Sequence, residues 1–334
     1  MTSPQSGSDD AADLLTYRHD NRAKAHDTGQ TRMKILVTGG TGLIGSLLRS
    51  FLTTSGHEVY CLTRTIPKSA NDISWNPTEG ELLRGRLEGL DAFVHLAGEN
   101  IAGSRWNTKF KERIRSSRIN GTRLLCDTIA QLQRPPKILI SASAIGIYGD
   151  RGADLLNESS PPGQGFLAEV CQSWEAATEQ TRAQGIRVVN LRIGFVLSRH
   201  GGGLAKMLTP FQLGGGGVIG TGRQYWSWIA VDDVIGIIHH CLMNDRMTGP
   251  VNATAPSPVT NFEFTKTLGR VLHRPTIFPM PAFAAKLALG EMANDLLLAS
   301  ARVMPNRLNE SGYVFRHPTL VGALQHVLQS SGNQ

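Results

Sequence analysis

The hydrophobic pattern of this 334-residue chain alternates between two kinds of segment. Short apolar runs rich in Val, Ile and Leu occur at residues 34–37, 57–63, 91–98, 136–143 and 188–193, and longer segments separate them. Short apolar runs that end in small or polar residues are typical of strands buried on both faces of a parallel sheet. The pattern predicts an α/β fold: a Rossmann-type doubly wound parallel sheet with a smaller mixed α/β C-terminal substrate domain.

The first of these strands leads directly into a glycine-rich turn, Thr38-Gly-Gly-Thr-Gly-Leu-Ile-Gly45, and a helix is predicted from Leu43 to Thr54. Gly39 permits a tight turn, Gly42 lets the backbone approach a pyrophosphate, and Gly45 lets the helix pack closely against the sheet. Because the helix N-terminus then faces the anion, this spacing predicts a dinucleotide-binding loop.

The residue that follows the second strand bears on the choice of cofactor. Arg64 stands about 20 residues past the glycine loop, where an NAD-binding protein usually presents Asp or Glu to the ribose 2′-hydroxyl. A guanidinium can pair with the 2′-phosphate of NADP through two hydrogen bonds, whereas a carboxylate would repel it. The sequence therefore predicts NADP(H), with Arg49 and Lys68 as helpers.

Composition narrows the class of partner. The excess of positive charge in the formal net charge of +7 is concentrated between Ile101 and Lys137, a segment with nine basic and two acidic residues. No recognition helix, zinc finger or aromatic ribonucleoprotein motif accompanies them, so nucleic acid is not expected as a ligand. No apolar run approaches the roughly 20 residues of a spanning helix, and the start lacks a secretory pattern. We expect a cytoplasmic protein that has no membrane partner and acts on a small-molecule substrate. Whether the protein forms a homodimer is left open.

The chain divides into three parts. Residues 1–32 are polar, without apolar periodicity, and are predicted to be a disordered tail. Residues 33–200 and 228–249 are assigned to the NADP-binding Rossmann domain. Residues 201–227 and 250–330 are assigned to a substrate or capping domain. Two glycine clusters flank a short apolar helix in the 201–227 segment, which predicts a mobile lid or substrate loop.

Polar residues follow the predicted strands at the edge where ligands bind in open parallel sheets. Hydroxyl groups end the strand at 136–143, and an acidic, basic and aromatic loop follows the strand at 91–98. The cysteines at 61, 126, 171 and 241 have no paired spacing and are predicted to be buried thiols. The histidines show no metal-ligand spacing, so no metal site is predicted. Asp232 or Asp233 is expected to cap a helix.

Several of these motifs together resemble the extended short-chain dehydrogenase/reductase superfamily. They are the glycine loop, Leu96-Ala97-Gly98, the serine-rich strand end with Tyr148-Gly149, Leu191-Arg-Ile-Gly194 and Trp228-Ile-Ala-Val-Asp-Asp233. Further segments, among them Phe166 to Glu175 and Gly312 to Pro318, resemble an atypical epimerase-like subgroup with a small characteristic C-terminal domain. That subgroup is related to an NAD(P)-dependent sugar-epimerase homologue. The similarity runs from Met33 to about Leu328.

The resemblance and the glycine loop together give a set of candidate site residues. The candidates for binding the cofactor are Thr38, Gly39, Gly40, Thr41, Gly42, Leu43, Ile44, Gly45, Arg64, Leu96, Ala97, Gly98, Ser141, Ile193, Gly194 and Val196. The candidates for lining the substrate pocket are Glu99, Asn100, Arg105, Trp106, Arg118, Phe166, Tyr225 and Trp228. The candidate catalytic residues are Ser143, Tyr148 and Glu169.

The usual chemistry of the superfamily is incomplete in this chain. The resemblance implies a Ser that holds the substrate carbonyl and a Tyr that exchanges a proton with help from a Lys four residues later. Ser143 fits the Ser, but Leu167 stands where the Tyr belongs and Cys171 where the Lys belongs. Two hypotheses follow. The chain is an NADP-dependent oxidoreductase or epimerase with a rearranged acid–base set, or it is a silent NADP(H)-binding sensor or partner-binding module.

Overall fold

The computed structural model describes residues 32–329. Its strands in chain order are β1 (Lys34–Thr38), β2 (Glu58–Thr63), β3 (Asp72–Asn76), β4 (Glu81–Leu82), β5 (Ala92–His95), β6 (Ile138–Ala144), β7 (Leu155–Leu156), β8 (Arg187–Ile193), β9 (Phe195–Leu197), β10 (Tyr225–Trp226), β11 (Trp228–Ala230), β12 (Gly249–Ala253), β13 (Val259–Thr260) and β14 (Arg302–Val303). Its α-helices are α1 (Leu43–Thr54), α2 (Thr108–Ile129), α3 (Phe166–Ala176), α4 (Glu179–Ala183), α5 (Gly202–Gln212), α6 (Val231–Met243), α7 (Asn261–Val271), α8 (Ala282–Leu289), α9 (Asn306–Glu310) and α10 (Leu320–Gln329).

The central element is an eight-stranded sheet with the order β12-β8-β6-β5-β1-β2-β3-β4. Every pair in it is parallel except β3 with β4. Successive residues of β1 point to opposite faces, so Ile35 and Val37 pack with α1 and α6, while Leu36 packs with α2. Helices on both faces confirm the doubly wound architecture, and the order reverses beside β1, where such folds bind ligands.

The C-terminal part is built from short helices and two-residue strands. Helices α7 and α10 pack with each other and with β9 and β11 around a second apolar core that contains Trp228 and Phe264. A π-helical turn, Asn294–Leu298, precedes β14, which pairs with β7. Within residues 32–329, no helix is both long and apolar enough to cross a membrane.

One expectation about the fold needs correction, the end of the parallel sheet before residue 250. Gly249–Ala253 is the edge strand of the main sheet, so the sheet extends beyond residue 249; Pro250 is tolerated because edge positions need fewer ladder bonds. Residues 276–280 form no strand and make one bridge, between Ile219 and Met280. The predicted N-terminal tail, apart from Arg32, lies outside the described residues.

The expected aspartate cap is also wrong. Ala230 is the N-cap of α6, and Asp232 and Asp233 lie in its first turn. The buried Asp233 carboxylate accepts the backbone N–H groups of Arg316 and His317 instead, so it serves the loop before α10. The four cysteines are free and buried, as predicted.

Candidate active site

The glycine loop has the geometry of a phosphate cradle. Gly39 has φ +68°, and a side chain there would press on the Leu96 carbonyl at 2.9 Å. A Cβ on Gly45 would overlap the carbonyl oxygen of Gly39, so its role is contact with the loop, whereas the sequence-based expectation placed that contact against the sheet. Helix α1 starts at Leu43 with neither a side-chain cap nor an acidic residue in its first turn. Its first N–H groups are therefore available to an anion.

Thr38 is buried and joins the ends of two strands. Its hydroxyl oxygen accepts the N–H groups of Leu96 and Ala97, each at 3.1 Å, and lies 2.8 Å from Nδ1 of His95. The other ring nitrogen of His95 lies 3.0 Å from the Thr122 hydroxyl on α2. Thr38 therefore holds β1 and β5 together, and its side chain supports the cofactor site from beneath.

Arg64 is exposed beyond the end of β2, and within the described residues it makes no hydrogen bond or ion pair. The Arg49 side chain crosses the loop, since a Cβ on Gly40 would meet its Cδ at 2.8 Å and the Cys61 sulfur at 3.3 Å. Arg49 and Arg64 are thus placed at the carboxyl end of β2, on the side where a Rossmann fold holds the adenine ribose.

A buried polar network lies at the carboxyl end of β6 and β8. The Ser143 hydroxyl donates to Oε1 of Glu175 at 2.7 Å. Arg192, the register partner of Ser143, clamps the same carboxylate with Nε and Nη2, both at 2.8 Å. The Arg192 and Glu175 side chains are only 8% and 12% exposed. Burial alone would lower the pKa of Arg192, but the hydrogen bonds and charge of Glu175 outweigh it and raise that pKa.

Tyr148 belongs to this network and does not face the crevice. It is fully buried, and its hydroxyl accepts a hydrogen bond from Arg192 at 2.9 Å and lies 2.8 Å from Oδ1 of Asn252. Burial chiefly raises the pKa of Tyr148, which opposes proton release near neutral pH. The structure therefore removes Tyr148 from the candidate catalytic residues and gives it a supporting role.

The face of α3 that points to β6 carries Leu167, Cys171 and Glu175 at successive turns. Gly146 packs against Leu167 and Cys171, and burial raises the pKa of Cys171 to about 12. Glu169 lies two residues past Leu167, about 200° around the helix. It is exposed and pairs with Arg115 at 3.3 Å. Glu169 is therefore on the outer face of α3, away from Ser143, and its catalytic role stays a prediction.

Arg118 brings a positive charge from α2 to the same region. Its guanidinium lies 5.1 Å from the Trp174 ring, donates to the Ile114 carbonyl, and approaches Gly98 closely enough that a Cβ there would be 3.4 Å away. Burial lowers the pKa of Arg118 and the charge of Glu99 opposes that shift. The structure thus places a half-buried cation between the end of β5 and the α3 position that usually carries Lys.

Several residues predicted to line the pocket make contacts within the protein. Trp228 is fully buried and donates to the Ser257 carbonyl, so it does not line the crevice. Trp106 is buried edge-to-face against Phe166 at 5.3 Å, and Arg105 donates to the Leu287 carbonyl of α8. The Arg105 contact fastens the loop after β5 to the C-terminal part. Tyr225, half-buried, packs under the Arg302 guanidinium at 4.9 Å.

The remaining candidates lie along the carboxyl edge of the sheet. Glu99 and Asn100 follow β5 in the crevice loop, and Ser141 is buried within β6, below its end. Ile193 ends β8, Gly194 connects it to β9 and Val196 lies within β9. A side chain on Gly194 would press on the Ser227 carbonyl at 2.6 Å. The crevice of an open parallel sheet lies outside this edge.

The segment predicted to be a lid starts above the glycine loop. Gly201 and Gly202 approach the Leu43 side chain, each with a Cβ position 3.5 Å from it. From α5, Lys206 donates to the Ala102 carbonyl at 2.7 Å. The segment thus bridges the two loops that border the crevice, which is the position that a lid requires; its mobility stays a prediction.

Sequence reasoning missed Glu175, Arg192 and Asn252 as parts of the site. Glu175 and Arg192 stand inside motifs that were recognised, but only as markers of similarity. Their register with Ser143 depends on the pairing of β6 with β8 and on the packing of α3, which no local spacing encodes.

The fold and this edge of the sheet define a nucleotide-binding short-chain dehydrogenase/reductase of the extended type. Residues 35–253 match the NAD dependent epimerase/dehydratase family, and the chain belongs to it. Residues 280–327 match a domain of unknown function, DUF1731.

The chain is similar to named relatives over most of its length. It is 40% identical over 301 residues to the epimerase family protein YfhF of Bacillus subtilis, covering 89% of this chain and 98% of that one. The crystal structure of the human epimerase family protein SDR39U1 with NADPH has TM-score 0.81 and 35% identity, covering 89% and 99%. A nucleoside-diphosphate sugar epimerase from Corynebacterium glutamicum has TM-score 0.75 and 35% identity, covering 95% of this chain and 62% of that one.

Proposed function

We propose that this protein is an NADP(H)-dependent oxidoreductase or epimerase that acts on a small carbonyl or nucleotide-sugar-like substrate. The observation that carries the proposal is the buried Ser143–Glu175–Arg192 network at the carboxyl end of the sheet. Burying an ion pair costs desolvation energy, so its place beside the crevice favours a chemical role over a purely structural one.

The cofactor part of the proposal is supported from two directions. The glycine loop offers uncapped N–H groups to a pyrophosphate, and Arg64 and Arg49 offer guanidinium groups to a 2′-phosphate. The human relative of the same fold is crystallised with NADPH. When bound, NADP(H) would supply or accept the hydride.

The network sets the direction of hydrogen bonding at Ser143. Its single proton is directed at Glu175, so the lone pairs of its oxygen remain as hydrogen-bond acceptors. A substrate hydroxyl can then donate to Ser143, and the proton would pass from substrate to Ser143 while the Ser143 proton passes to Glu175, transiently and at the energetic cost of a neutral carboxyl group beside Arg192. Arg192 holds that carboxylate in position. The relay thus replaces the missing Tyr and Lys as the proton acceptor in the alcohol-oxidising direction and, reversed, as the donor.

A turnover assay distinguishes an enzyme that oxidises NADPH from a protein that only binds it. Purified protein is incubated with NADPH and a panel of carbonyl compounds that includes nucleotide sugars, and NADPH oxidation is followed by absorbance. Ser143→Ala should lower turnover by at least about a hundredfold, the usual share of general acid–base catalysis, with NADPH affinity unchanged. Ser116→Ala, on the surface of α2, is the matched control. Turnover that is equal in Ser143→Ala and wild type would refute the relay.

The second hypothesis, a silent NADP(H)-binding sensor or partner-binding module, draws on a specific observation. Leu167 and the neutral, buried Cys171 occupy the places of the usual Tyr and Lys. It predicts tight NADPH binding, no oxidation across the panel, and no effect of Ser143→Ala on any measured property except stability. That combined outcome would replace the oxidoreductase proposal.

A further inference from the structure

Three side chains with metal-binding chemistry meet where α6 faces α10, outside the network described above. Asp232 lies in the first turn of α6, His317 in the loop before α10, and His326 on α10 itself. One ligand atom from each of these residues lies within 4.8 Å of the others. Nε2 of His326 is 3.2 Å from Oδ2 of Asp232, and the two imidazole rings stack with centroids 4.2 Å apart.

The backbone around this cluster fixes it in place. Both oxygens of the neighbouring Asp233 carboxylate are used, because they accept the N–H groups of Arg316 and His317 and the Tyr313 hydroxyl. This anchors the loop that carries His317 against the start of α6. Asp232, the preceding residue of the helix, faces the imidazoles. The arrangement is held by the fold and does not depend on the histidines contacting each other.

The residue types suit metal coordination, which needs a carboxylate and neutral imidazole. Two nitrogen donors and one oxygen donor form a set that suits zinc, usually in tetrahedral geometry.

We propose that Asp232, His317 and His326 bind a divalent transition metal ion, Zn²⁺ by preference, with water as the fourth ligand. The site departs from the sequence-based expectation of no metal, because the ligands come from two distant segments with no ligand spacing between them. The ion would join the C-terminal helix to the Rossmann domain. Its role is structural: it fastens α10, which helps to close the second apolar core. The inference is independent of the proposed reaction.

The test uses the full chain, without an affinity tag and stripped by chelator. Zn²⁺ is titrated by calorimetry, and Co²⁺ is added to read the visible absorption of a tetrahedral site. One equivalent should bind, and the melting temperature should rise with metal. His326→Ala, at an exposed position, should weaken binding by more than the roughly 10–100-fold that loss of an outer-shell partner costs.

His200→Ala is the matched control, since His200 is exposed and lies outside the cluster. Metal binding and the Co²⁺ spectrum should be unchanged in that variant. Asp232→Asn should lose the site while keeping the fold, which its circular dichroism spectrum would report. The proposal fails if wild type binds no metal, as expected for a histidine–aspartate ion pair only. It also fails if His326→Ala and His200→Ala bind metal equally.

Discussion

The two ends of the crevice are built on different principles. At the nucleotide end, contact is made by the backbone: Gly39, Gly42 and Gly45 clear space, and the first turn of α1 offers N–H groups. At the other end, which we propose to be the reaction end, the side chains of Ser143, Glu175 and Arg192 are joined by hydrogen bonds across β6, α3 and β8. The first end depends on a backbone conformation that few residue types allow. The second depends on a hydrogen-bond network that different side chains could form.

This difference explains why one end keeps the pattern of its superfamily and the other does not. A glycine that touches a carbonyl has no substitute, because any Cβ collides. A proton relay needs only a donor and an acceptor of suitable geometry, which different side chains can supply. We therefore expect binding of the nucleotide and its proposed use in a reaction to be separable, so that substitutions can perturb each alone.

The largest effect is expected at the nucleotide end. Gly45→Val should abolish measurable NADPH binding, because its side chain would overlap the Gly39 carbonyl and displace the loop from α1. NADPH fluorescence titration measures this, with circular dichroism to verify the fold. Gly85→Ala is the matched control, since a Cβ at that glycine meets nothing within 4 Å. NADPH affinity equal to wild type in Gly45→Val would show that the loop is not the cradle.

The nucleotide end was predictable because its information is local. The strand, the glycine spacing and helix Leu43–Thr54 follow one another in sequence, and the structure confirms those helix bounds. The strand positions were also predicted to within a few residues. The edge strand Gly249–Ala253 was missed because Pro250 and its short length resemble a turn until the pairing with β8 is known.

The second effect is expected at the reaction end and concerns stability. Glu175→Gln should lower the free energy of unfolding by about 3–5 kcal/mol, because it leaves the Arg192 guanidinium buried beside a neutral amide. Urea denaturation measures the difference. Glu169→Gln is the matched control on the same helix, and its exposed pair with Arg115 should contribute no more than about 1 kcal/mol. Equal losses in the two variants would mean that the network is not a buried ion pair in solution.

The reaction end was only partly predictable because its information is not local. Ser143 was identified from its place at a strand end, and the structure places it in the network. Tyr148 and Glu169 were chosen for their chemistry and their distance along the chain. One is fully buried and the other is on the outer face of α3. Helix rotation and strand register decide which side chain reaches Ser143, and neither can be read from residue types alone.

The third effect returns to the nucleotide end and tests one of its side-chain contributions. Arg64→Ala should weaken NADPH binding about 10–100-fold, since hydrogen bonds between charged groups contribute about 1.5–3 kcal/mol, and should leave NADH binding nearly unchanged. Titrations with both cofactors measure the ratio. Arg123→Ala, an exposed arginine on α2, is the control for net charge. If wild type binds NADPH and NADH equally, Arg64 does not select the cofactor.

The smallest effect concerns His95, which joins the two ends. One ring nitrogen of His95 is hydrogen-bonded to Thr38 at the nucleotide end, and the other is hydrogen-bonded to Thr122. Thr122 also accepts a hydrogen bond from Trp174 of α3. The Thr38 oxygen already accepts two N–H groups, so its proton points at Nδ1 and the ring is neutral with its proton on Nε2. Full burial accordingly lowers the pKa of His95 to about 4.

This buried histidine makes stability depend on pH in a stated direction. The unfolded chain binds the extra proton below about pH 6.5 and the folded chain only near pH 4, so stability falls as pH falls through that window. Between pH 7 and pH 5 His95 should account for a loss of about 2 kcal/mol. Urea denaturation of wild type and His95→Asn measures it, and the variant should lose about that much less on acidification. If the variant does not fold, NMR titration of wild type serves instead. A His95 ring that is protonated at pH 5 would show that its hydrogen bonds to Thr38 and Thr122 open readily to solvent. The two ends would then be less tightly coupled than these shared hydrogen bonds imply.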